Sequence, residues 1–485
     1  MRISELFKKI PHFVLQGDTL SIKEITGICE DSRKCCEGSL FVCVRGEECD
    51  GHDYISDAIN AGSCAIVVDD LSKIAYITDK ELIIILVENT RMIMSQLSAA
   101  WFGYPADKLF TIGITGTKGK STTAHMVKAI LDAAGIKTGL LGTILMYDGK
   151  VSTNNVNTTP SAYEVQKWMA RMVDNECKAV VMEVSSQGMK HYRCDAIEFD
   201  IAAFTNLKPD HIGTGEHKDF AEYRFCKSQL FRKCRLGIFN FDDEHTSYMT
   251  AKATCNKKYY SLKDTADYIV SDIRKYKKNG VGMRFKYQDT QMIIPFPGIF
   301  NVYNALCAIA ITSEYGIERD IIADALNKVI VRGRCEYINV SEDFHVLLDY
   351  AHNAMSLKTL LQTIREYEPG RIICLFGCGG NRSRARRFEM GEVSGRFADY
   401  TVITSDNPRD EEPLKIIDDI VDGIKKTSGK YMVISDRERA IKHAIDIATK
   451  GDIVIVAGKG HETYQEIKKV RYYMDDKEII LRNKR

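Results

Sequence analysis

At 485 residues the chain is longer than one hydrophobic core usually supports, and about 150 residues per domain points to roughly three domains. A hydrophobic fraction of 45% and a charged fraction of 27% exclude collagen-like, wholly disordered and membrane-embedded chains. With 67 Lys and Arg against 66 Asp and Glu the formal charge is +1, so no bulk field draws nucleic acid or an anionic membrane, and any anion must meet a local site.

In chain order, the opening MRISELFKKIPHF sets Glu5, Lys8 and Lys9 where a signal peptide needs its apolar stretch, which predicts no export. Short aliphatic runs bounded by charge or glycine then recur as buried strands, beginning with Ala65 to Val68. The longest, Leu82 to Val87, is far short of the roughly 20 residues that span a bilayer. WFGYPADKLF, residues 101 to 110, places a Gly and a Pro before the strand Ile112 to Thr115 and predicts a domain boundary near residue 108. In the helix that follows, Val127, Ile130, Leu131 and Ala134 share one face, and Gly135 stops it. Ala179 to Val184 is the next strand, and VRGRCE, residues 331 to 336, marks a second boundary. Val346 to Leu348, Ile372 to Phe376, Thr401 to Thr404 and Ile453 to Ala457 are strands beyond it. Strands alternating with helices predict an α/β fold with mostly parallel sheets in three domains, 1–107, 108–332 and 333–485. None of the fifteen cysteines falls in a CxxC pair, so reduced thiols of a cytoplasmic protein are expected, packed mainly as small core residues such as Cys64 and Cys374.

The strongest chemical signal is Gly113-Ile-Thr-Gly-Thr-Lys-Gly-Lys-Ser-Thr-Thr123, a strand entering a glycine-rich turn that opens a helix. Backbone amides of Gly116, Thr117, Lys118, Gly119 and Thr122, the helix amino terminus and the Lys120 ammonium suit triphosphate oxygens, and the Ser121 hydroxyl suits Mg²⁺. The spacing is GxxGKS, shorter than that of ordinary P-loops. The bland alternative is a strand-to-helix turn without a ligand. Glu183 at a strand end reads alone as a surface carboxylate or cap, Lys227 as a solvated helix lysine, and His211 as a structural histidine.

The shortened loop resembles that of the Mur ligases, enzymes that add amino acids to the UDP-linked peptidoglycan precursor. Further motifs in the same order resemble the branch that takes the third amino-acid step: Asp31-Ser32-Arg33, Gly38-Ser-Leu-Phe-Val, Asn157-Thr158-Thr159-Pro160, Met182-Glu183-Val184-Ser185-Ser186, Thr205-Asn206-Leu207, Asp210-His211, Gly298-Ile-Phe-Asn301, Gly333-Arg334, Asp349-Tyr-Ala-His352, Phe376-Gly-Cys-Gly-Gly380, Asp406-Asn-Pro-Arg409 and Gly458-Lys-Gly-His-Glu462. The resemblance implies a central P-loop-type ATPase domain, a Rossmann-like carboxy-terminal domain and an amide ligase working through an acyl phosphate with ATP and Mg²⁺. Its substrates would be UDP-N-acetylmuramoyl-L-alanyl-D-glutamate and a diamino acid, with no nucleic acid, no membrane insertion and a monomeric state.

The resemblance also assigns roles. Lys120, Glu183, His211 and Lys227 would be catalytic, Lys227 as a carbamate, and Ser121, Glu183, His211 and Lys227 would face the metal. Asn301, Arg334, Asp349 and His352 would complete the ATP site, although Arg334 and Asp349 also fit an ion pair. Ser32, Thr158, Thr159, Ser185 and Arg193 would hold the UDP-substrate, each with an alternative as a cap or turn residue. Arg382, Asn407, Arg409, Gly458 and Glu462 would hold the incoming amino acid. Lys118 in place of the usual Asn, Gln187 after Ser185-Ser186, Asn-Ala after His352, and Asp-His-Ile-Gly-Thr-Gly-Glu-His at 210 to 217 depart from the common pattern. Of these, Lys118, Gln187 and the 210 to 217 form resemble streptococcal-type enzymes that add lysine. Asp406-Asn-Pro-Arg409 resembles enzymes that add meso-diaminopimelate, whose distal carboxylate needs a cation such as Arg409. Diaminopimelate is therefore expected, with L-lysine, a folate polyglutamylating ligase and a catalytically silent nucleotide- or UDP-sugar-binding paralogue as alternatives.

Overall fold

The structure is a computed structural model of one chain, and it describes residues 1–18, 24–46, 49–155, 157–213, 215–263, 265–277 and 280–484. It divides into two compact units, residues 1–269 with 306–318, and residues 270–305 with 319–485.

The first unit holds two sheets. The smaller runs Phe13–Gln16, Ile83–Leu86, Ala65–Val68, Leu40–Val42, Ile28–Cys29, parallel except for Phe13–Gln16 at its edge. The helix Thr90–Trp101, capped by the Asn89 side chain on the Met92 amide, buries Ile93, Met94 and Leu97 against Leu40, Val42, Ala65 and Val67. The larger sheet has a parallel core ordered Asn256–Ser261, Cys234–Asn240, Phe199–Phe204, Phe110–Thr115, Ala179–Glu183, Thr138–Leu141. Its central strands are continuous apolar runs because helices cover both faces. Lys120–Ala133 buries Met126, Val127, Ile130 and Leu131 and ends just before Gly135, which takes φ +79°. Ala162–Asp174 buries Val165, Trp168, Met169 and Met172. Parallel strands deliver their carboxyl ends to one edge, so the loops after Thr115, Leu141, Glu183 and Phe204 gather there.

The second unit centres on a six-stranded sheet, Glu336–Ile338, His345–Leu348, Ile453–Val456, Ile372–Phe376, Tyr400–Ile403, Tyr431–Val433, with only the first strand antiparallel. Val346, Leu348, Ile373, Leu375, Val454 and Val456 pack on Ala440, Ile441, Ala444 and Ile445 of the helix Arg437–Asp446. An antiparallel meander pairs Val270 with Tyr287 and Met283 with Ile294. A hairpin of Tyr464–Ile467 and Val470–Tyr473 stands beside the loop that carries Arg409, which forms a bridge to Ile467.

The architecture is the expected α/β fold with mostly parallel sheets. Cys374 lies in the core as expected, whereas Cys64 is only partly buried and Cys36 and Cys49 are exposed. Cys64 packs at the margin of the amino-terminal core, while Cys36 and Cys49 lie outside helices and strands. Among the described residues no helix is long and apolar enough to cross a membrane.

Candidate functional site

Strand Phe110–Thr115 runs into the turn Gly116 to Gly119, and the helix Lys120–Ala133 begins at once. Gly116 sits at φ +151°, and a Cβ there would lie 1.9 Å from Thr205 Oγ1, so only glycine fits. The turn is braced by the end of the neighbouring strand. The Thr117 amide donates to Asn206 O (2.8 Å), the Lys118 amide to Asn206 Oδ1 (3.0 Å), and Thr205 Oγ1 to Lys118 O (2.7 Å). The Thr117 hydroxyl donates to Lys208 O (3.1 Å) and lies 3.0 Å from the Tyr223 hydroxyl. Gly119 takes φ +87° and Thr122 is buried in the first helical turn. Lys118 turns outward, 3.2 Å from Asp210. Lys120 is folded back, its ammonium donating to Gly116 O (2.9 Å) and Thr117 O (3.1 Å).

Glu183 is not a surface carboxylate, being 0% exposed at the end of its strand. Its Oε2 accepts from Ser121 Oγ (2.8 Å) and Thr143 Oγ1 (3.0 Å), and its Oε1 from the Thr143 amide (2.8 Å). Thr143 Oγ1 also lies 3.0 Å from Thr158 Oγ1. Among the described residues no group of three or more His, Cys, Asp or Glu side chains converges as a metal cluster. Mg²⁺ keeps several waters and borrows phosphate oxygens, so it needs few protein donors, and the paired Ser121 hydroxyl and Glu183 carboxylate fit that requirement.

Lys227 is likewise buried rather than solvated, on the helix Phe220–Ser228. Its ammonium position donates to the same Gly116 carbonyl (2.9 Å) that Lys120 uses and stands 4.6 Å from the Tyr223 ring centroid. Burial, reinforced by the Lys120 charge, holds its pKa well below the ordinary lysine value. His211 adopts φ +55°, is half exposed and pairs through Nδ1 with Glu216 Oε1 (2.9 Å). The structure thus joins Ser121 to Glu183 and Lys227 to the loop, while His211 pairs with Glu216.

The residues read as UDP-substrate contacts lie in the same unit. Ser32 is buried in a short 3-10 turn whose cap is the Asp31 side chain. Thr159 Oγ1 donates to Glu183 O (2.9 Å) and lies 3.1 Å from Ser185 Oγ, and Ser185 caps the helix Ser186–Lys190, so both also serve as local ties. Arg193 donates to Thr159 O (2.8 Å). Nearby, Arg91 contacts His191 Nδ1, and burial followed by the Arg91 charge lowers the His191 pKa from 6.5 to about 4. His191 therefore contributes stability that is present above pH 6.5 and lost as pH falls toward 4. Replacing His191 by Gln should flatten the fall in thermal midpoint between pH 6.5 and about 4.

In the second unit Asn301 is buried at the start of the helix Ile299–Tyr315, donating to Pro297 O (2.8 Å) and accepting from Asn304 Nδ2 (3.1 Å). Arg334 stacks on the Tyr350 ring, 4.4 Å from its centroid. Asp349 points inward, accepting from the amides of Cys335 (2.7 Å) and Ala351 (2.8 Å), and desolvation raises its pKa against the lowering effect of Arg334. Its acceptors are thus taken by backbone amides rather than by an ion pair. His352 is exposed, its Nδ1 2.9 Å from Tyr350 O.

Asn407, Arg409, Gly458 and Glu462 come together in this unit. Asn407 Nδ2 donates to Glu462 Oε2 (2.8 Å). Arg409, at φ +52°, donates through Nη1 to Gly380 O (2.6 Å), and its Nε stands 3.9 Å from Glu466 Oε2. A non-glycine residue held in the left-handed region is strained, and such strain concentrates at functional sites. Gly458 takes φ +105°, its amide bound to Asp349 O (3.2 Å). Arg382 is exposed and makes no ion pair among the described residues. Sequence reasoning did not single out Thr143, Asn206, Tyr223 or Lys459, which brace these residues. Asn206 and Lys459 at least stand inside motifs already noted.

Residues 24–102 match the Mur ligase family catalytic domain, 114–312 the Mur ligase middle domain and 333–460 the Mur ligase glutamate ligase domain. The chain is 39% identical to a UDP-N-acetylmuramoyl-L-alanyl-D-glutamate–2,6-diaminopimelate ligase of Caldanaerobacter subterraneus subsp. tengcongensis, over 99% of this chain and 98% of that one. It is also 39% identical to the protein of the same name from Clostridioides difficile, over 96% and 97%. Among solved structures, a UDP-N-acetylmuramoyl-L-alanyl-D-glutamate–2,6-diaminopimelate ligase superposes with a TM-score of 0.66 at 27% identity, covering 94% of each chain. A Thermotoga maritima MurF ligase in complex with ADP shares the fold, with a TM-score of 0.60 at 18% identity over 94% and 96%.

Proposed function

Because the chain belongs to the Mur ligase family, we propose that it joins meso-diaminopimelate to UDP-N-acetylmuramoyl-L-alanyl-D-glutamate in peptidoglycan-precursor synthesis. It is an ATP-using, amide-bond-forming ligase. A carboxylate is a poor electrophile, so the substrate carboxylate takes the γ-phosphoryl group of ATP, and the amine then displaces phosphate from the acyl phosphate. Two anions must meet in the first step, which calls for fixed positive charge beside the braced loop, and Lys120 supplies it. Ser121 and Glu183 would hold Mg²⁺, whose charge screens the phosphates when bound. The lowered pKa of Lys227 favours its neutral amine, the form that takes up CO₂ to give a carbamate with oxygen donors.

On this reading residues 1–107 are the UDP-substrate-binding domain, 108–332 the ATP-binding domain and 333–485 the amino-acid-binding domain, each named for its main ligand and not for every residue that meets it. Ser32, Thr158, Thr159, Ser185 and Arg193 would take the UDP-dipeptide, and Asn301, Arg334, Asp349 and His352 the nucleotide. His211 would reach the metal only by exchanging Glu216 for it.

The observation that carries the choice of amine is the strained, hairpin-buttressed Arg409 beside Asn407 and Glu462. A guanidinium fork matches the distal carboxylate of diaminopimelate, which lysine lacks, and a carboxylate such as Glu462 matches an ammonium. Arg382 adds a second guanidinium, this one exposed, on the adjoining loop. The lysine-like features at Lys118, Gln187 and 210 to 217 lie in the first unit, whereas this cluster lies in the second. Loss of a desolvated ion pair costs about 2–5 kcal/mol, so Arg409→Ala should raise the KM for diaminopimelate by roughly 30-fold or more while leaving that for ATP nearly unchanged. Steady-state kinetics with each amine at equal concentration test this. A wild-type preference for L-lysine, or an Arg409→Ala enzyme with unaltered preference, would overturn the choice.

A further inference from the structure

We infer that Lys459 is a positioning residue for the incoming amino acid, acting through Glu462 and Asn407; the inference rests on the reading of this cluster as the amino-acid site. Lys459 is 0% exposed, an unusual place for a lysine side chain without a partner charge. Its ammonium uses all three of its donors, on Asn407 Oδ1 (3.0 Å), Glu462 Oε2 (3.2 Å) and the Tyr464 carbonyl.

These bonds decide which atoms remain for a ligand. Asn407 Oδ1 also accepts the Glu466 amide (2.9 Å), so two donors that cannot accept hold the amide oxygen in place. Asn407 Nδ2 must then face Glu462, where it donates to Oε2 (2.8 Å). Glu462 Oε2 is thereby saturated by one amide and one ammonium. Its other oxygen, Oε1, has no hydrogen bond among the described residues, and the side chain is 19% exposed. That leaves a single, fixed carboxylate oxygen as the acceptor for an ammonium group of the amino acid. The Tyr464 bond ties the same ammonium to the hairpin whose Glu466 carbonyl accepts the Arg409 amide (3.0 Å). Lys459 therefore sets the spacing between the oxygen that meets a cation and the guanidinium that meets an anion, without touching the substrate.

Full-length Lys459→Met and Lys459→Gln enzymes test this, with kinetics resolved for each substrate and folding checked by thermal melting. Both variants should raise the KM for the amino acid on the order of tenfold or more, with kcat and the KM for ATP changed by less than about threefold. A role through Glu462 further requires non-additivity: in a Glu462→Gln background, Lys459→Met should add less than about twofold. A folded Lys459 variant with an unchanged amino-acid KM, or full additivity with Glu462→Gln, would overturn the positioning role alone. If Lys459→Met fails to fold, Lys459→Gln carries the same comparison. Wild-type enzyme that turns over neither diaminopimelate nor lysine would refute the proposed function as well.

Discussion

Lys120→Ala should lower turnover by about 10²- to 10³-fold while the protein keeps its secondary structure and melts within a few degrees of wild type. The lysine stands at the first position of the helix and closes on the carbonyls of Gly116 and Thr117, in the loop proposed to meet phosphate. Its charge matters most where negative charge develops, and deleting one preorganised donor from such a site typically forfeits about 2.7–4 kcal/mol of transition-state stabilisation. The fold does not depend on it, because Asn206, Thr205, Lys208 and Tyr223 brace the turn independently. Single-turnover formation of ADP in the absence of amine isolates the step, and unchanged ADP formation would sink the nucleotide-loop assignment.

Lys227→Ala should lose activity on the order of 10²-fold or more and regain part of it with added formate or acetate. The side chain is buried against Gly116 O and the Tyr223 ring, and no solvent compensates its charge. The pKa is lowered, so at neutral pH the amine form is favoured beyond that of an ordinary lysine. Attack of that amine on CO₂ forms an N–C bond and releases one proton, converting a donor that cannot hold a cation into an acceptor that can. A short carboxylate in the space left by alanine restores the oxygens. Wild-type activity that is indifferent to removal of CO₂, together with no rescue of the variant, would refute the carbamate.

Much of the sheet architecture was legible because buried parallel strands are continuous aliphatic runs. Ile372–Phe376 and Ala65–Val68 fall where the runs lie, and Ala179–Glu183 ends one residue earlier than expected. Phe13–Gln16 and Ile28–Cys29 carry no such run, since one is an exposed edge strand and the other two residues long. The loop, Glu183 and Lys227 were legible as motif residues, but their burial was not, because lysine and glutamate are seldom fully buried and residue type alone points them to solvent. Thr143 and Tyr223 gave no local signal at all. What makes them matter is a partner 40 residues away for Thr143 and 106 for Tyr223, and topology alone creates those neighbours.

Those separations carry a consequence for how the molecule is made. Ser121 meets Glu183 across 62 residues, Thr117 meets Lys208 across 91, and Lys227 meets Gly116 across 111. The entropy of closing such loops grows only logarithmically, so extending closure from the shortest to the longest of them adds about 0.5 kcal/mol. The burden falls on rate, because contacts between distant segments form slowly and only after the strands that present them have paired. The glycine-rich loop accordingly takes its final shape after translation has passed residue 227 and the central strands have docked. Until then the nascent chain holds the turn without its braces, so nucleotide binding at the proposed site is expected only of a finished domain.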